Sequence, residues 1–221
     1  MLINLENIKK TIPDIPQING SEDFIQTAVL VLLIKENNNW SIIFEKRSSN
    51  ISQGGEISFP GGKFDKSLDL TAKDTAIRET TEETGISSSQ ITVLGELDSI
   101  LAPLGVMIKP FLATSNITKI PIDYNKEEVE YIFSVPINWF IENPPTEYAT
   151  VLKAHPYIFN KKTKIELLPA KKLGLPDKYS EPWGQLKQKV FVYNYKNEII
   201  WGLTARIVNS LIKNLAQYIE L

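Results

Sequence analysis

The sequence predicts a single α+β domain spanning residues 1–221, and three observations carry that prediction. Thr27–Ile34 is a continuous Val-, Leu- and Ile-rich run, as expected of a strand buried on both faces. Leu70–Thr84 holds no Gly or Pro and is followed by Gly85, where a left-handed residue would end a helix. Thr204–Ile219 repeats apolar residues at Val208, Leu211, Ile212, Leu215 and Ile219, one helical stripe facing a core.

Each element follows from its local chemistry. Trp40–Phe44 pairs with the first strand across the polar turn Glu36-Asn37-Asn38-Asn39. Glu56–Phe59 is a short strand between Gly54-Gly55 and Pro60-Gly61-Gly62, where bare backbone can approach a ligand closely. Asp69 is the expected N-cap of the helix that follows. Ile91–Leu97 and Val106–Ala113 read as strands, and Lys126–Ile132 and Ile137–Ile141 as short helical pieces. Val190–Tyr195 and Ile199–Trp201 form a hairpin around Lys196-Asn197. Between Glu147 and Gln188 the periodic signal fades, and residues 151–188 are expected to be an insertion within the domain.

Composition narrows the function. With 43% hydrophobic residues the chain can bury a core without metals or disulfides. The 24 Lys and Arg against 26 Asp and Glu create no basic field for nucleic acid. The absence of Cys removes thiolate nucleophiles, disulfides and Cys-based zinc sites, and fits the cytoplasm. Met1–Ser21 has no signal-peptide apolar region, and Ala28–Ile34 is too short to span a bilayer, so no membrane partner is expected. A homodimer is compatible with this composition.

The chemistry lies in Arg78-Glu79-Thr80-Thr81-Glu82-Glu83-Thr84-Gly85-Ile86. Glu79, Glu82 and Glu83 fall at i, i+3 and i+4, on adjoining positions of one helical face. Like charges so placed cost a helix about 0.2–0.5 kcal/mol per pair, so a cation is expected to offset them. Mg²⁺, or Mn²⁺, suits carboxylates combined with waters and substrate phosphates. Ala76 and Ala72, one and two turns before Glu79, would leave room for ions and a diphosphate, and Arg78 between Asp74 and Glu82 would orient the carboxylates.

These residues resemble the signature of the Nudix family: a Gly, a spacer, Arg-Glu, an apolar residue, any residue, Glu-Glu, any residue, and a closing Gly with an apolar residue. Gly62–Ile86 carries it, with an interval two residues longer than the general spacing, and with Thr80 where an apolar residue is usual. The longer interval, Lys46-Arg47-Ser48 and Gly55–Gly62 resemble the coenzyme A diphosphatase branch, as do Leu94–Asp98, Gly105–Pro110, Glu128–Pro136 and Ile200–Ala205. Ile51 stands where that branch commonly has an Arg.

The resemblance implies an α/β/α sandwich, with a mixed β-sheet between helices. It also implies metal-dependent hydrolysis of a diphosphate bond in a small nucleotide derivative, coenzyme A foremost, giving 4′-phosphopantetheine and 3′,5′-ADP. Alternatives are ADP-ribose, a dinucleotide or a nucleoside triphosphate as substrate, or a non-catalytic nucleotide-binding regulator. The expected metal ligands are Glu79, Glu82, Glu83 and the Gly62 backbone. Glu79, Glu82 and Arg78 carry the expected catalytic roles, and Arg47, Gly61 and Lys63 the expected substrate contacts. A general base could also come from Glu127, Glu128 or Glu130. His155 is expected to be structural or exposed, with no catalytic role, and the four Trp residues to be core.

Overall fold

Strand β1 (Ile25–Glu36) and strand β2 (Asn39–Arg47) form the expected hairpin, tightened to the two-residue turn Asn37-Asn38. Both turn residues have positive φ, 48° and 68°, which Asn tolerates and a right-twisted hairpin requires. The computed structural model describes residues 18–103, 105–117 and 119–218; Met1–Gln17 and Ile219, on which two of the expectations above fall, lie outside it.

β1 pairs with β2 only from Leu33–Ile42 to Glu36–Asn39. Further back along the same edge its partner is β4 (Gly61–Lys63), with Thr27 opposite Lys63 and Val29 opposite Gly61. The Pro60 carbonyl accepts from Leu30 N–H at 2.9 Å and bridges the two stretches. The Pro-Gly-Gly segment is thus stitched into the sheet where two neighbouring strands part. On its other edge β1 runs parallel to β7 (Val106–Ser115), which also pairs antiparallel with β5 (Ile91–Glu96) and β6 (Ile100–Ala102). β2 continues to β3 (Ile57–Ser58) and β8 (Val129–Pro136), completing a mixed eight-stranded sheet.

The helix expected over Lys126–Ile132 is not formed. Val129, Ile132 and Val135 are buried along β8, which supplies backbone partners to β2 from Ser41–Pro136 to Arg47–Val129. β-branched and aromatic side chains on an unfilled sheet edge outweigh a weak helical pattern.

Each face of the sheet buries its own apolar cluster. One holds Leu30, Leu32, Ile34 and Ile43 beneath helix α1 (Ala72–Thr84). The other holds Val31, Ile42 and Phe44 with helix α2 (Ile137–Glu142), helix α3 (Gly202–Leu215) and the ends of a smaller sheet. Helices on both faces of a mixed sheet give the α/β/α sandwich. Trp139 joins Phe140, Tyr193 and Tyr195 in the second cluster, a structural placement. No described helix is long and apolar enough to cross a membrane.

The smaller sheet orders β13 (Glu198–Trp201), β12 (Trp183–Tyr195) and β9 (Thr146–Ala154). β9 and β12 extend as a ribbon from Thr146–Val192 to Ala154–Trp183, and its tip carries the hairpin β10 (Tyr157–Asn160) and β11 (Thr163–Glu166). Residues 151–188 therefore have regular structure, and neither apolar cluster draws on them.

Candidate active site

α1 begins two residues later than its sequence suggests. Thr71, not Asp69, is the N-cap: its side chain accepts from Asp74 N–H, and Asp74 Oδ2 accepts from Thr71 N–H at 2.8 Å, a reciprocal capping box. Gly85 closes the helix with φ 72°, as expected. Ala76 is fully buried in the cluster under α1, so it packs on the sheet and opens no space for ions. Thr80 is also buried, and its hydroxyl donates to the Ala76 carbonyl at 2.6 Å, so the residue loses no hydrogen bond at an apolar position.

Releasing Asp69 from capping gives it another task. It lies in the loop before α1, with its side chain shielded from solvent. It receives two parallel bonds from Arg78, Nε to Oδ1 and Nη2 to Oδ2, each 2.9 Å, and one from Thr75 Oγ1 at 2.9 Å. The Arg78 guanidinium holds the Asp69 carboxyl down at about 2. Arg78 Nη1 in turn lies 3.0 Å from both Glu79 Oε1 and Glu82 Oε2. The orienting role expected of Arg78 is formed, but its anchor is Asp69 instead of Asp74, because Asp74 is engaged in the cap.

Glu79, Glu83 and the Gly61-Gly62 backbone meet at the gap between β1 and β2. Glu83 is 4% exposed and its Oε2 accepts from Gly61 N–H at 2.8 Å. Gly61 has φ 153°, and a Cβ there would strike the Ala28 carbonyl and Val29 Cα. A Cβ on Gly62 would overlap the Glu79 carboxylate, so both glycines are needed where the loop crosses the helix. Glu82 is more exposed, at 53% of its side chain, and joins the group through Arg78. Lys63 follows on β4 and is exposed; Arg47 ends β2, with Nε donating to the Ser52 carbonyl at 3.3 Å.

A fourth carboxylate, absent from the sequence expectations, completes the group. Glu45 shares the α1-facing side of β2 with Ile43 and is fully buried. Ser58 Oγ donates to its Oε1 at 3.0 Å, and Arg47 Nη1 stands 3.8 Å from the same oxygen. The available signal was a lone Glu ending a strand's apolar run, Ser41-Ile42-Ile43-Phe44-Glu45, two residues before Arg47.

Electrostatics mark the group as charge-stressed. Burial raises the Glu83 carboxyl well above the usual range, and the Glu45 charge raises it further. Glu45 is raised by burial too, with Arg47 and the Ser58 hydroxyl opposing. Glu79 is raised by burial, partly offset by Arg78. Of the three later carboxylates, Glu128 in the loop before β8 adds its field at both Glu45 and Glu79, whereas Glu130, on β8, acts on Lys46. His155 and Lys153, Lys161, Lys162, Lys171 and Lys172 are exposed on the ribbon and its tip.

No three of these carboxylates form a preformed metal cage among the described residues. The donor set nevertheless fits a hard divalent cation: several carboxylates, backbone carbonyls on a loop stripped of side chains, and an excess of buried negative charge.

The NUDIX domain family matches residues 25–155, more than half of the chain. The chain belongs to the Nudix family. It is a Nudix hydrolase, of the enzyme class that acts on nucleotide diphosphate derivatives, and Nudix hydrolases generally use divalent metals. The chain is similar to the uncharacterized Nudix hydrolase NudL of Yersinia pestis (strain Pestoides F), with 26% identity over 191 residues, covering 86% of this chain and 80% of that protein. NudL of Yersinia pseudotuberculosis serotype O:1b (strain IP 31758) matches to the same extent. Among solved structures, a MutT/nudix family protein from Enterococcus faecalis covers 97% of this chain and 70% of its own, at 14% identity and a TM-score of 0.45. An Ap4A hydrolase from C. elegans covers 53% and 84%, at 22% identity and a TM-score of 0.43. Both overlaps are too loose to bear on the substrate of this Nudix enzyme.

Proposed function

We propose that this Nudix hydrolase cleaves the diphosphate of coenzyme A or its derivatives, with Mg²⁺ or Mn²⁺, to 4′-phosphopantetheine and 3′,5′-ADP. The observation that carries the hydrolytic part is the gathering of Glu79 and Glu83 against the bare Gly61-Gly62 backbone, with Glu82 tied in through Arg78. The coenzyme A part is supported by Lys46-Arg47-Ser48 and Gly55–Gly62, the segments that resemble that branch.

Glu79, Glu82, Glu83 and the Gly62 carbonyl would hold the ions, whose chemistry is to neutralise charge on the diphosphate and polarise its phosphorus. The chain's own groups do the rest. Arg78, anchored on Asp69, holds Glu79 and Glu82 in register. Gly61 N–H fixes Glu83, and Arg47, Gly61 and Lys63 would meet the substrate phosphates. Glu128, whose carboxylate is held by Asn125 Nδ2 at 3.2 Å, is the loop group best placed to take a proton from the attacking water.

Ile51, at the position where the branch commonly carries an Arg, favours a second reading, in which the substrate is ADP-ribose, a dinucleotide or a nucleoside triphosphate. Incubating the protein with each substrate and Mg²⁺ or Mn²⁺, with products identified by mass and Glu83→Gln as control, separates the two. Release of 4′-phosphopantetheine and 3′,5′-ADP by wild type alone is the expected result. Cleavage of another substrate with coenzyme A spared would replace it with the second reading, and no cleavage of any would point to a nucleotide-binding regulator.

A further inference from the structure

Among the described residues, Glu45 Oε2 is the one buried carboxylate oxygen without a hydrogen-bond partner. Its partner atom Oε1 is satisfied by Ser58, and the side chain is fully enclosed. Leaving a buried acceptor unpaired costs about 1–3 kcal/mol, and more when it is charged, so folds rarely keep one without a use. An acid at this position is costly to keep, since burial disfavours its charged form. Phe44 and Ile43 beside it on β2 are core residues, and an apolar residue at 45 would extend that run. Instead β2 and β3 place an acidic residue opposite Ser58, in the register Glu45–Ser58, and orient one oxygen while sparing the other.

The strand face fixes which layer Glu45 lies in. Glu45 stands on the face of β2 that α1 covers, the same face from which Glu83 and Glu79 descend toward the Gly61-Gly62 loop. Glu45 on the strand and Glu83 on the helix are thus both buried in the layer between the sheet and α1. Arg47, the nearest cation, is 3.8 Å away on Oε1, beyond hydrogen-bonding range, so it compensates weakly.

We propose that Glu45 is a further ligand of the divalent-cation site, its free Oε2 supplying from β2 a donor that faces those of α1. This rests on the metal-dependent reading above and deepens it: the site is closed from both sides of the gap between β1 and β2, and not built on the helix alone. Ser58 is the positioning residue that fixes the carboxylate for this task.

Mn²⁺ titration of the full chain by calorimetry, without nucleotide, reads the site independently of turnover. Wild type is expected to bind, Glu83→Gln to bind far more weakly, and Glu45→Gln to lose at least tenfold in affinity while keeping a metal-free Tm no lower than wild type. Wild-type Mn²⁺ affinity in Glu45→Gln would overturn this inference alone, leaving the hydrolase reading intact. No Mn²⁺ binding by wild type would overturn both. Should Glu45→Gln not fold, Glu45→Asp decides, since it keeps the charge but withdraws the carboxylate by one methylene: severalfold weaker binding supports the ligand role and unchanged binding refutes it.

Discussion

The Glu79 carboxylate occupies the space into which a Cβ on Gly62 would project, so the first glycine-to-helix contact of the site is a backbone against an acid. Because the obstructing group is the end of a flexible side chain, Gly62→Ala should fold with a stability loss of at most about 1 kcal/mol. It should nevertheless displace Glu79 and lower kcat by about 10²-fold, as misplaced catalytic geometry does. Gly61→Ala differs in kind: the obstruction is the β1 backbone at Ala28 and Val29, and φ is 153°. It should cost about 2–3 kcal/mol. Chemical denaturation alongside steady-state kinetics checks both; equal stability losses would contradict the contrast.

Asp69→Asn removes the charge that receives two Arg78 bonds. Breaking such a shielded pair is expected to cost about 3 kcal/mol at neutral pH. The folded-state value of Asp69 is depressed from 3.8 to about 2, so its stabilisation is fully present above 3.8 and fades as pH falls toward 2. The difference in stability between wild type and Asp69→Asn should therefore shrink in that acid window, by roughly 2 kcal/mol. Kinetics should also suffer, because Arg78 no longer holds Glu79 and Glu82 from a fixed base.

Glu83 is buried and its carboxyl is raised by burial and by the Glu45 charge, an arrangement that costs folding stability. Glu83→Gln keeps an acceptor for Gly61 N–H while removing the charge. In EDTA at pH 8 its Tm should exceed that of wild type by a few degrees, the scale on which about 1 kcal/mol moves a chain of this size. Activity should fall by at least about 10³-fold. A lower metal-free Tm would show that the charge is compensated in a way the geometry does not reveal.

Residues 151–188 contribute to neither apolar cluster, and β10 and β11 are exposed along almost their whole length. We treat this stretch as an insertion that extends the smaller sheet. Replacing residues 156–181 with a short Gly-Ser link should leave Tm within a few degrees of wild type, since loop-closure entropy changes only slowly with length. Loss of folding on that deletion would assign the tip a core role.

Much of the fold and of the site was legible because it depends on neighbours in sequence. The Asn37-Asn38 hairpin, the Gly85 helix end, the Lys196-Asn197 turn and the convergence of Glu79 with Glu83 all follow from backbone preference or helical periodicity. Other features had competing local solutions that only long-range packing could arbitrate. Thr71 and Asp69 are both competent caps, and the choice fell to Thr71 once Arg78 claimed Asp69. Residues 126–132 had a weak helical pattern, but the open edge of β2 drew Val129–Pro136 into a strand.

The sequence by itself determined the family, the acidic helix and the bare loop before it, because the signature is a local spacing of residue types. The tertiary structure decided that Glu45 is buried on the α1-facing side of β2 and that Ala76 faces the core. Each of these depends on which face of a strand or helix meets which neighbour, and that is set by burying two apolar clusters on opposite sides of one sheet.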